Sequence, residues 1–431
     1  MSKLREYYNR DDIKEEIIKF SKDREVALKY KGEFFGKRPN TIESKREIEL
    51  EIDKGVTSFH CSEERWINPL LLESSNQTNI KENRKGWDLI IDIDGKFDYS
   101  RIVAKIIFDF FERLGINYST IKFSGNKGFH IGIPFEAFTE EIFGIGKTKD
   151  LFPEAPRKIA SYIVYEIKNE INREIIKYEG SIDEVAKKNN LKKEEIIDKE
   201  GNLKIDKLVE IDTLLISSRH LFRAPYSLNE KSGLVSIPID PKRIMFFKKE
   251  EARIENVDPK KYENFKFLNY KKEHGKYGDI LLVKSYEKDY ENMFKEIIDY
   301  KDFNSEKIIV INETIPEKRF PETIKYILSN KIEDGRKRAL FVLLTFLTCV
   351  NWDFENIEEI IKIWAQKQNL KENYYKSQIN WFKRLNKKIN PPNFNKDTYY
   401  RDIGIPKEVI EKDIKYNKKN NKNPLNCIRK K

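Results

Sequence analysis

The chain has 431 residues, of which 39% are hydrophobic, 36% are charged and 12% are aromatic, a composition that excludes a disordered chain and suggests two to three domains. No apolar run approaches the roughly 18 residues of a membrane span, and three scattered cysteines cannot form a disulfide framework or a four-cysteine metal site. With no signal peptide in its first residues, we expect a cytoplasmic protein with no membrane partner. Its net charge of +11 would attract polyanions, but the lysine-rich residues 412–431 that carry much of it are more typical of a solvated terminus.

The amino-terminal half predicts helices that alternate with strands. An amphipathic helix is expected around Asp12–Asp23, and the alternation WDLIIDID then predicts a strand. Apolar residues at helical spacing predict a helix at Tyr99–Leu114, and IKFSGNKGFHIGIPF reads as a strand, a glycine turn and a strand. This succession around acidic strands indicates an α/β or α+β catalytic domain.

The rest of the chain predicts a helical insertion, a linker and a helical domain. Residues 150–208 are charged and mostly helical in pattern, and 250–310 show little period and are interpreted as a linker region. Residues 335–350 include ALFVLLTFL, which is too short to span a bilayer and predicts a buried helix. The predicted domains are a catalytic domain at 1–300 and a helical domain at 301–431.

Two carboxylates stand close together at the end of the strand WDLIIDID. Asp92 and Asp94 are two residues apart, so both side chains project from one face of the strand. Their like charges repel each other, and a divalent cation with a preference for oxygen, Mg²⁺ or Mn²⁺, removes this penalty. A pair of this kind is also typical of an exposed strand face with solvated carboxylates.

A glycine turn, SGNKGFH, offers groups that bind phosphate. Its two glycines permit a close approach of backbone to ligand, and Ser124, Lys127 and His130 supply a hydroxyl, an ammonium and an imidazole. The alternative is a simple hairpin turn with an exposed lysine and a core histidine.

A third carboxylate, Asp212, ends another apolar strand and precedes a loop rich in cations. This loop, SSRHLFRAPYSLNEKSG, contains Arg219, His220, Arg223 and Lys231. Three carboxylates with a group of cations suit two-metal nucleotidyl transfer, in which metals bridge the triphosphate and the attacking hydroxyl.

These three motifs, in this order, resemble the catalytic small subunit of archaeal and eukaryotic DNA primase. That family has a DxD strand, an SGxKGxH turn, and a later hydrophobic-Asp strand followed by RHLxRxPxSL. The resemblance covers about residues 25–245 and implies that Asp92, Asp94 and Asp212 bind the metal ions. It implies nucleotide-binding roles for Ser124, Lys127, His130, His220, Arg223 and Asn229.

Two departures from the family pattern affect the expected ligands. The family often has a histidine where this chain has Asn229, and an amide carries no charge for the triphosphate. The family also often has a zinc site of cysteines and histidines, and with His60 and Cys61 alone nearby we expect no zinc.

Residues 320–431 resemble, more weakly, the carboxy-terminal domain of the primase large subunit. The family's iron–sulfur cysteines have no counterpart here, so we expect no iron–sulfur cluster. The matching positions hold Glu322, Asn393 or Phe394, a residue near Ile403, and Asn421.

Arg336 and Arg338 begin a predicted helix in this domain, where backbone N–H groups and cations together favour an anion. Tyr375 and Lys376 are candidates for stacking and charge against a template strand. These side chains are equally typical of a helical core with a solvated basic turn.

The resemblance implies an α+β primase catalytic domain with a mixed sheet and a helical insertion, followed by a mostly α-helical domain. The expected function is de novo primer synthesis by one chain of the nanoarchaeal type, in which the helical domain binds the initiating nucleotide. Expected partners are single-stranded DNA template, nucleoside triphosphates and the primer–template duplex, with a replicative polymerase or helicase as further candidates, in the nucleoid. The alternatives are a primase-like polymerase of repair or mobile elements and a non-catalytic template-binding subunit.

Overall fold

The computed structural model describes residues 3–31, 34–73, 77–142, 145–198, 200–211, 217–270, 275–297, 309–333, 335–370, 372–384, 388–416 and 423–430. The chain divides into two compact units, Met1–Ile142 with Lys147–Ser285, and Tyr286–Lys431 with Phe143–Gly146, whereas the predicted boundary lies at residue 300. Within the described ranges, no helix is long and apolar enough to cross a membrane.

Strands and helices are numbered here in chain order. The strands are β1 (Val26–Tyr30), β2 (Val56–Ser62), β3 (Glu64–Trp66), β4 (Arg84–Trp87), β5 (Leu89–Gly95), β6 (Thr120–Phe123), β7 (Phe129–Ile133), β8 (Glu141–Ile142), β9 (Gly146–Lys147), β10 (Val209–Ile211), β11 (Leu221–Arg223) and β12 (Pro238–Ile239). The helices are α1 (Lys3–Asn9), α2 (Asp11–Ser21), α3 (Lys45–Asp53), α4 (Gln77–Asn83), α5 (Phe97–Arg113), α6 (Glu154–Glu179), α7 (Ile182–Asn189), α8 (Lys193–Ile196), α9 (Asp279–Ile297), α10 (Glu322–Ser329), α11 (Arg336–Cys349), α12 (Phe354–Lys367), α13 (Glu372–Arg384), α14 (Asp397–Tyr400) and α15 (Lys407–Tyr416).

A five-stranded sheet forms the centre of the first unit. Its order is β10-β5-β7-β6-β12, and every neighbouring pair is antiparallel. Helix α5 packs against β5 and β7, because Val103, Ile107 and Phe111 repeat every four residues and form a buried stripe. On β5, Ile91 and Ile93 are buried and alternate with the aspartates, so the carboxylates lie on the other face.

A three-stranded sheet, β1-β2-β11, contributes side chains to that other face. Phe222 of β11 forms a buried apolar cluster with Ile90 of β5 and Phe267. Gly132 on β7 makes this packing possible, because a Cβ atom there would come within 2.6 Å of Leu268 and 2.8 Å of Phe267. Strand β11 is thereby held close to the face that bears Asp92.

In the segment interpreted as a linker, the described residues 250–270 and 275–297 are structured, which corrects the interpretation from sequence. Residues 249–265 form short 3₁₀ helices (Lys249–Ala252, Ile254–Asn256 and Pro259–Phe265), and α9 follows. Ala252, Val257 and Phe267 are buried. A 3₁₀ turn buries single side chains at short intervals, so its sequence shows neither the helical nor the strand period.

Helix α11 is the centre of the second unit, and α10, α12, α13 and α14 pack around it. All residues of α11 from Ala339 to Leu347 are buried, as the uninterrupted apolar run predicts. A buried carboxylate, Asp413 of α15, accepts hydrogen bonds from the backbone N–H groups of Glu322 (2.9 Å) and Thr323 (2.8 Å) at the start of α10. Arg429 donates to the same carboxylate at 2.9 Å. The fold class is α+β with a mostly helical carboxy-terminal region, which confirms the prediction. The central sheet, expected to be mixed, is antiparallel throughout.

Candidate active site

A row of polar side chains crosses the five-stranded sheet at the end of β5. Antiparallel register sets His130 of β7 opposite Asp92, and Lys122 of β6 opposite His130. Glu210 of β10 stands opposite Asp94. Residues directly opposite each other project to the same face, so all five lie on the face that β11 approaches.

His130 is buried beside the half-exposed Asp92. Its Nε2 lies 3.3 Å from Asp92 Oδ1, and 6% of its side chain is exposed. Burial, followed by the positive charge of Lys122, lowers the pKa of His130 well below its usual value, so the imidazole is neutral at pH 7. Its buried Nδ1 has no hydrogen-bond partner within the described part of the chain.

Lys122 is a site residue that the sequence analysis missed. Its side chain is fully buried, its Nζ donates to Ser236 Oγ at 2.9 Å, and it lies over the rings of Phe222 and Phe267 at 5.6 and 5.4 Å. Burial lowers its pKa well below the usual value. The available signal was the alternation of Lys122 with the apolar Ile121 and Phe123, which places it on the other face of β6; the register with β7 then sets it on the face of Asp92.

The SGNKG turn joins β6 to β7 and lies against the end of β5. A Cβ atom on Gly128 would come within 2.2 Å of the carbonyl oxygen of Ile93 and 3.3 Å of the Asp94 Cα, so only glycine permits this approach. Gly125 adopts φ +98°, and Ser124 N donates to Gly128 O at 3.0 Å. Lys127, at the tip, is exposed. The turn and the aspartate pair are therefore neighbours.

Asp212 lies outside the described residues, and the strand that leads to it ends at Ile211, paired with Ile93. Glu210, also missed from sequence, faces Asp94 with a like charge, an arrangement that destabilises a strand pair and that a divalent cation would relieve. Carboxylate oxygens are the ligands that Mg²⁺ and Mn²⁺ prefer, so Asp92 and Asp94 fit such an ion. No group of three or more His, Cys, Asp or Glu side chains within the described ranges is arranged to hold a metal.

Arg219 and His220, which immediately precede β11, pair with carboxylates that flank β1 and β2. His220 Nδ1 lies 2.8 Å from Oε1 of Glu63, which is 2% exposed in its side chain. The guanidinium of Arg219 is paired with the buried Glu25, so this predicted phosphate-binding cation already has a carboxylate partner. Neither glutamate was identified from the sequence, because a pairing over more than 150 residues leaves no local signal.

Arg223 and Asn229 belong to a strand and turn that contact the SGNKG turn. Arg223 donates to Glu230 Oε2 at 2.8 Å. Asn229 Oδ1 accepts from the backbone N–H groups of Lys231 (3.0 Å) and Ser232 (3.2 Å), so the amide closes its own turn. Ser232 Oγ donates to the carbonyl of Gly125. The SGNKG turn and the segment of Arg223 and Asn229, which are far apart in sequence, are therefore in contact.

In the second unit, some of the predicted site residues lie at or near the surface and one lies in the core. Arg336 begins α11 behind Gly335, and its Nε donates to Ile332 O at 2.9 Å; Arg338 is half-buried. Lys376 pairs with Glu372 at 2.5 Å. Tyr375 is 3% exposed and packs in the helical core, so its predicted stacking on a template is corrected to a packing role. Asn421, one of the positions matched to cysteines, lies outside the described residues.

Part of the amino-terminal unit is similar in sequence to DNA primase small subunits. Residues 91–241 match the family model of the DNA primase small subunit, a range that contains every site residue predicted from the sequence in the first unit. The DNA primase small subunits of Pyrobaculum aerophilum and Pyrobaculum calidifontis are 31% and 30% identical over 190 and 194 residues, which cover 37% and 40% of this chain and 55% and 57% of theirs. The matches support a primase small-subunit type for this region.

Two further similarities extend over more of the chain. An uncharacterized protein of Methanocaldococcus jannaschii is 24% identical over 313 residues, 65% of this chain and 62% of that protein. The chain thus spans about six tenths of the length of the curated relatives that it matches. Among solved structures, the polymerase domain of Mycobacterium tuberculosis ligase D in complex with DNA aligns with TM-score 0.35 and 15% identity, covering 56% of this chain and 81% of that one.

Proposed function

We propose that this chain is a DNA primase that starts short primers on single-stranded DNA by nucleotidyl transfer. The observation that carries the proposal is the meeting of three separate motifs: the end of β5 with Asp92 and Asp94, the SGNKG turn, and the strand and turn of Arg223. All of them lie within the range that matches the primase small-subunit family. The likeness covers only part of each relative, so activity and substrates are inferred from this geometry.

Asp92, Asp94 and Asp212 would hold Mg²⁺ or Mn²⁺. Support comes from the shared face of Asp92 and Asp94 and from the like charge of Glu210 opposite Asp94. Such ions supply electrostatic stabilisation of the developing charge on the transferred phosphate. The chain's own groups then bind and orient: Lys127 projects from the turn toward solvent, where an ammonium meets the triphosphate.

One assay tests the proposal: single-stranded DNA, nucleoside triphosphates and Mg²⁺ or Mn²⁺ are incubated with the full chain and no primer. We expect new short oligomers that depend on the template. Extension of an annealed primer without any primer-free product would indicate a primase-like polymerase of repair or mobile elements. Template binding with no synthesis in either assay would indicate a non-catalytic subunit and contradict the proposal.

Lys127→Ala is expected to raise the apparent KM for nucleotides about tenfold, because a charge-assisted contact contributes about 1.5 kcal/mol. Extension of a primer over a range of nucleotide concentrations measures this change. The matched control is Lys187→Ala on α7, whose side chain is 78% exposed and which should leave KM unchanged. Equal KM values for the two variants would place the triphosphate elsewhere.

Arg336→Ala with Arg338→Ala is expected to lose primer-free synthesis while the extension of an annealed primer continues. We assign the initiating nucleotide to these two cations at the start of α11, where charge-assisted binding of a triphosphate contributes roughly 2–4 kcal/mol. Extension needs one nucleotide site, whereas initiation needs two. The control is Arg401→Ala with Lys407→Ala, two exposed residues of the same unit. If the variant with Arg336→Ala and Arg338→Ala initiates normally, these two residues do not bind the initiating nucleotide.

A further inference from the structure

Four polar groups from three strands surround one carboxylate, that of Glu230, and three of them lie within hydrogen-bond distance of it. Arg223 Nη2 of β11 lies 2.8 Å from Oε2. Ser58 Oγ of β2 donates to Oε1 at 2.5 Å, and Lys29 Nζ of β1 lies 3.4 Å from the same oxygen. His60 Nε2 of β2 lies 3.8 Å from Oε1, beyond hydrogen-bond distance, and 3.2 Å from Ser58 Oγ. Hydroxyl, ammonium, imidazole and guanidinium groups in this arrangement are what an oxyanion of a phosphate requires.

The side chains around Glu230 are largely shielded from solvent, so the electrostatic interactions among their charges are strong. The side chains of Lys29, Arg223 and Glu230 are 15%, 10% and 10% exposed. Burial lowers the pKa of His60 to about 4, which leaves it neutral. Burial alone would raise the pKa of Glu230, but the neighbouring imidazole of His60, the charge of Arg223 and the hydrogen bond from Ser58 outweigh it and lower that pKa far below its usual range. Two cations therefore face one permanent anion.

Glu230 lies in a surface turn, whereas the groups around it lie on paired strands. It follows Asn229 in a short turn whose next residues, Lys231, Ser232 and Gly233, are exposed. The four polar groups, by contrast, sit on paired strands: β1 pairs with β2, and β11 pairs with β2. A rigid set of donors thus faces an anion carried on a surface turn.

We propose that Lys29, Ser58, His60 and Arg223 form an oligophosphate-binding site and that Glu230 is an internal counter-ion that competes with the phosphate for it. The inference rests on the proposed nucleotide site, because Arg223 is shared between the two. It adds three residues of β1 and β2 to that site. It also makes Glu230 a residue that weakens nucleotide affinity, since a triphosphate must displace its carboxylate from Arg223.

The test is the binding of inorganic tripolyphosphate to the full chain, measured by calorimetry without template or primer. Glu230→Gln keeps an acceptor for Arg223 but removes the charge, and we expect its Kd to fall roughly five- to tenfold, because a like charge beside a bound anion is removed. The gain should shrink at high salt. It should disappear in Glu230→Gln with Lys29→Met and in Glu230→Gln with Arg223→Gln. Glu255→Gln, which removes an exposed carboxylate paired with Lys3, is the charge control and should leave the Kd as in the wild type.

An unchanged or weaker affinity in a folded Glu230→Gln variant would overturn the inference, and so would a gain that survives both double substitutions. Thermal unfolding checks the fold. If Glu230→Gln is unfolded, Glu230→Asp serves instead, because its shorter carboxylate cannot reach all the donors and should give a smaller gain in affinity; no gain there would also overturn it. Tripolyphosphate binding needs no catalysis, so the two proposals can fail separately. If Glu230→Gln binds tripolyphosphate more tightly but the wild-type chain makes no oligomers, the proposed function is rejected and the inference about Glu230 stands.

Discussion

Asp92→Asn and Asp94→Asn are each expected to reduce nucleotide incorporation about 10³-fold or more, in initiation and in extension. Asparagine keeps the size of the side chain but loses the charge that holds a divalent cation, and the resulting loss of several kcal/mol of transition-state stabilisation corresponds to this factor. At position 94 the amide oxygen can still accept the hydrogen bond that Asp94 Oδ1 receives from Gly95 N at 2.8 Å.

A second readout separates this loss from misfolding. Because Glu210 faces Asp94, Asp94→Asn removes a like-charge pair and should leave the free energy of unfolding without metal unchanged or slightly higher. Asp183→Asn on α7, with 70% of its side chain exposed, is the control for both measurements. Retention of a tenth of the activity by either site variant would mean that other carboxylates bind the ion.

Asp413→Ala is expected to destabilise the chain by about 3–5 kcal/mol, because it removes the acceptor of two backbone N–H groups at the start of α10 and the carboxylate nearest to Arg429. The carboxylate is fully buried and receives hydrogen bonds from Glu322 N, Thr323 N and Arg429. Urea unfolding followed by circular dichroism measures the loss. Asp413→Asn should fall between the wild type and the alanine variant, since the amide accepts hydrogen bonds without carrying charge.

Glu411→Ala is the matched control for Asp413. It lies on the same helix, and it pairs with the exposed Lys407 and Lys415. Exposed pairs of this kind contribute little, about 0–1 kcal/mol. If the two variants lose the same free energy of unfolding, the buried hydrogen bonds of Asp413 contribute no more to stability than the exposed ion pairs of Glu411.

Local patterns were sufficient for the elements that carry the site. The alternation around Asp92 and Asp94 predicted β5, and the glycines of SGNKG predicted the turn between β6 and β7. The apolar run of α11 predicted a buried helix. In each case the signal lies within a few residues, so no knowledge of distant contacts was needed.

Distant pairings were not predictable in this way. Glu63 and Glu230 are known as site residues only through their contacts with His220 and Arg223, which depend on how two sheets pack. Tyr375 is a different case, since its spacing to the buried Ile379 and Phe382 is that of one helix face. That pattern was present in the sequence and favours a core position over a template-binding one.

The hydrogen bonds of Asp413 also bear on the order in which the units mature during translation. The start of α10 at Glu322 and Thr323 receives its capping carboxylate from about ninety residues further along the chain, and Arg429 completes the contact later still. A ribosome releases the chain amino terminus first. Synthesis of the first unit is complete once Ser285 has been added. This unit can therefore fold before Asp413 and Arg429 of the helical unit have been made.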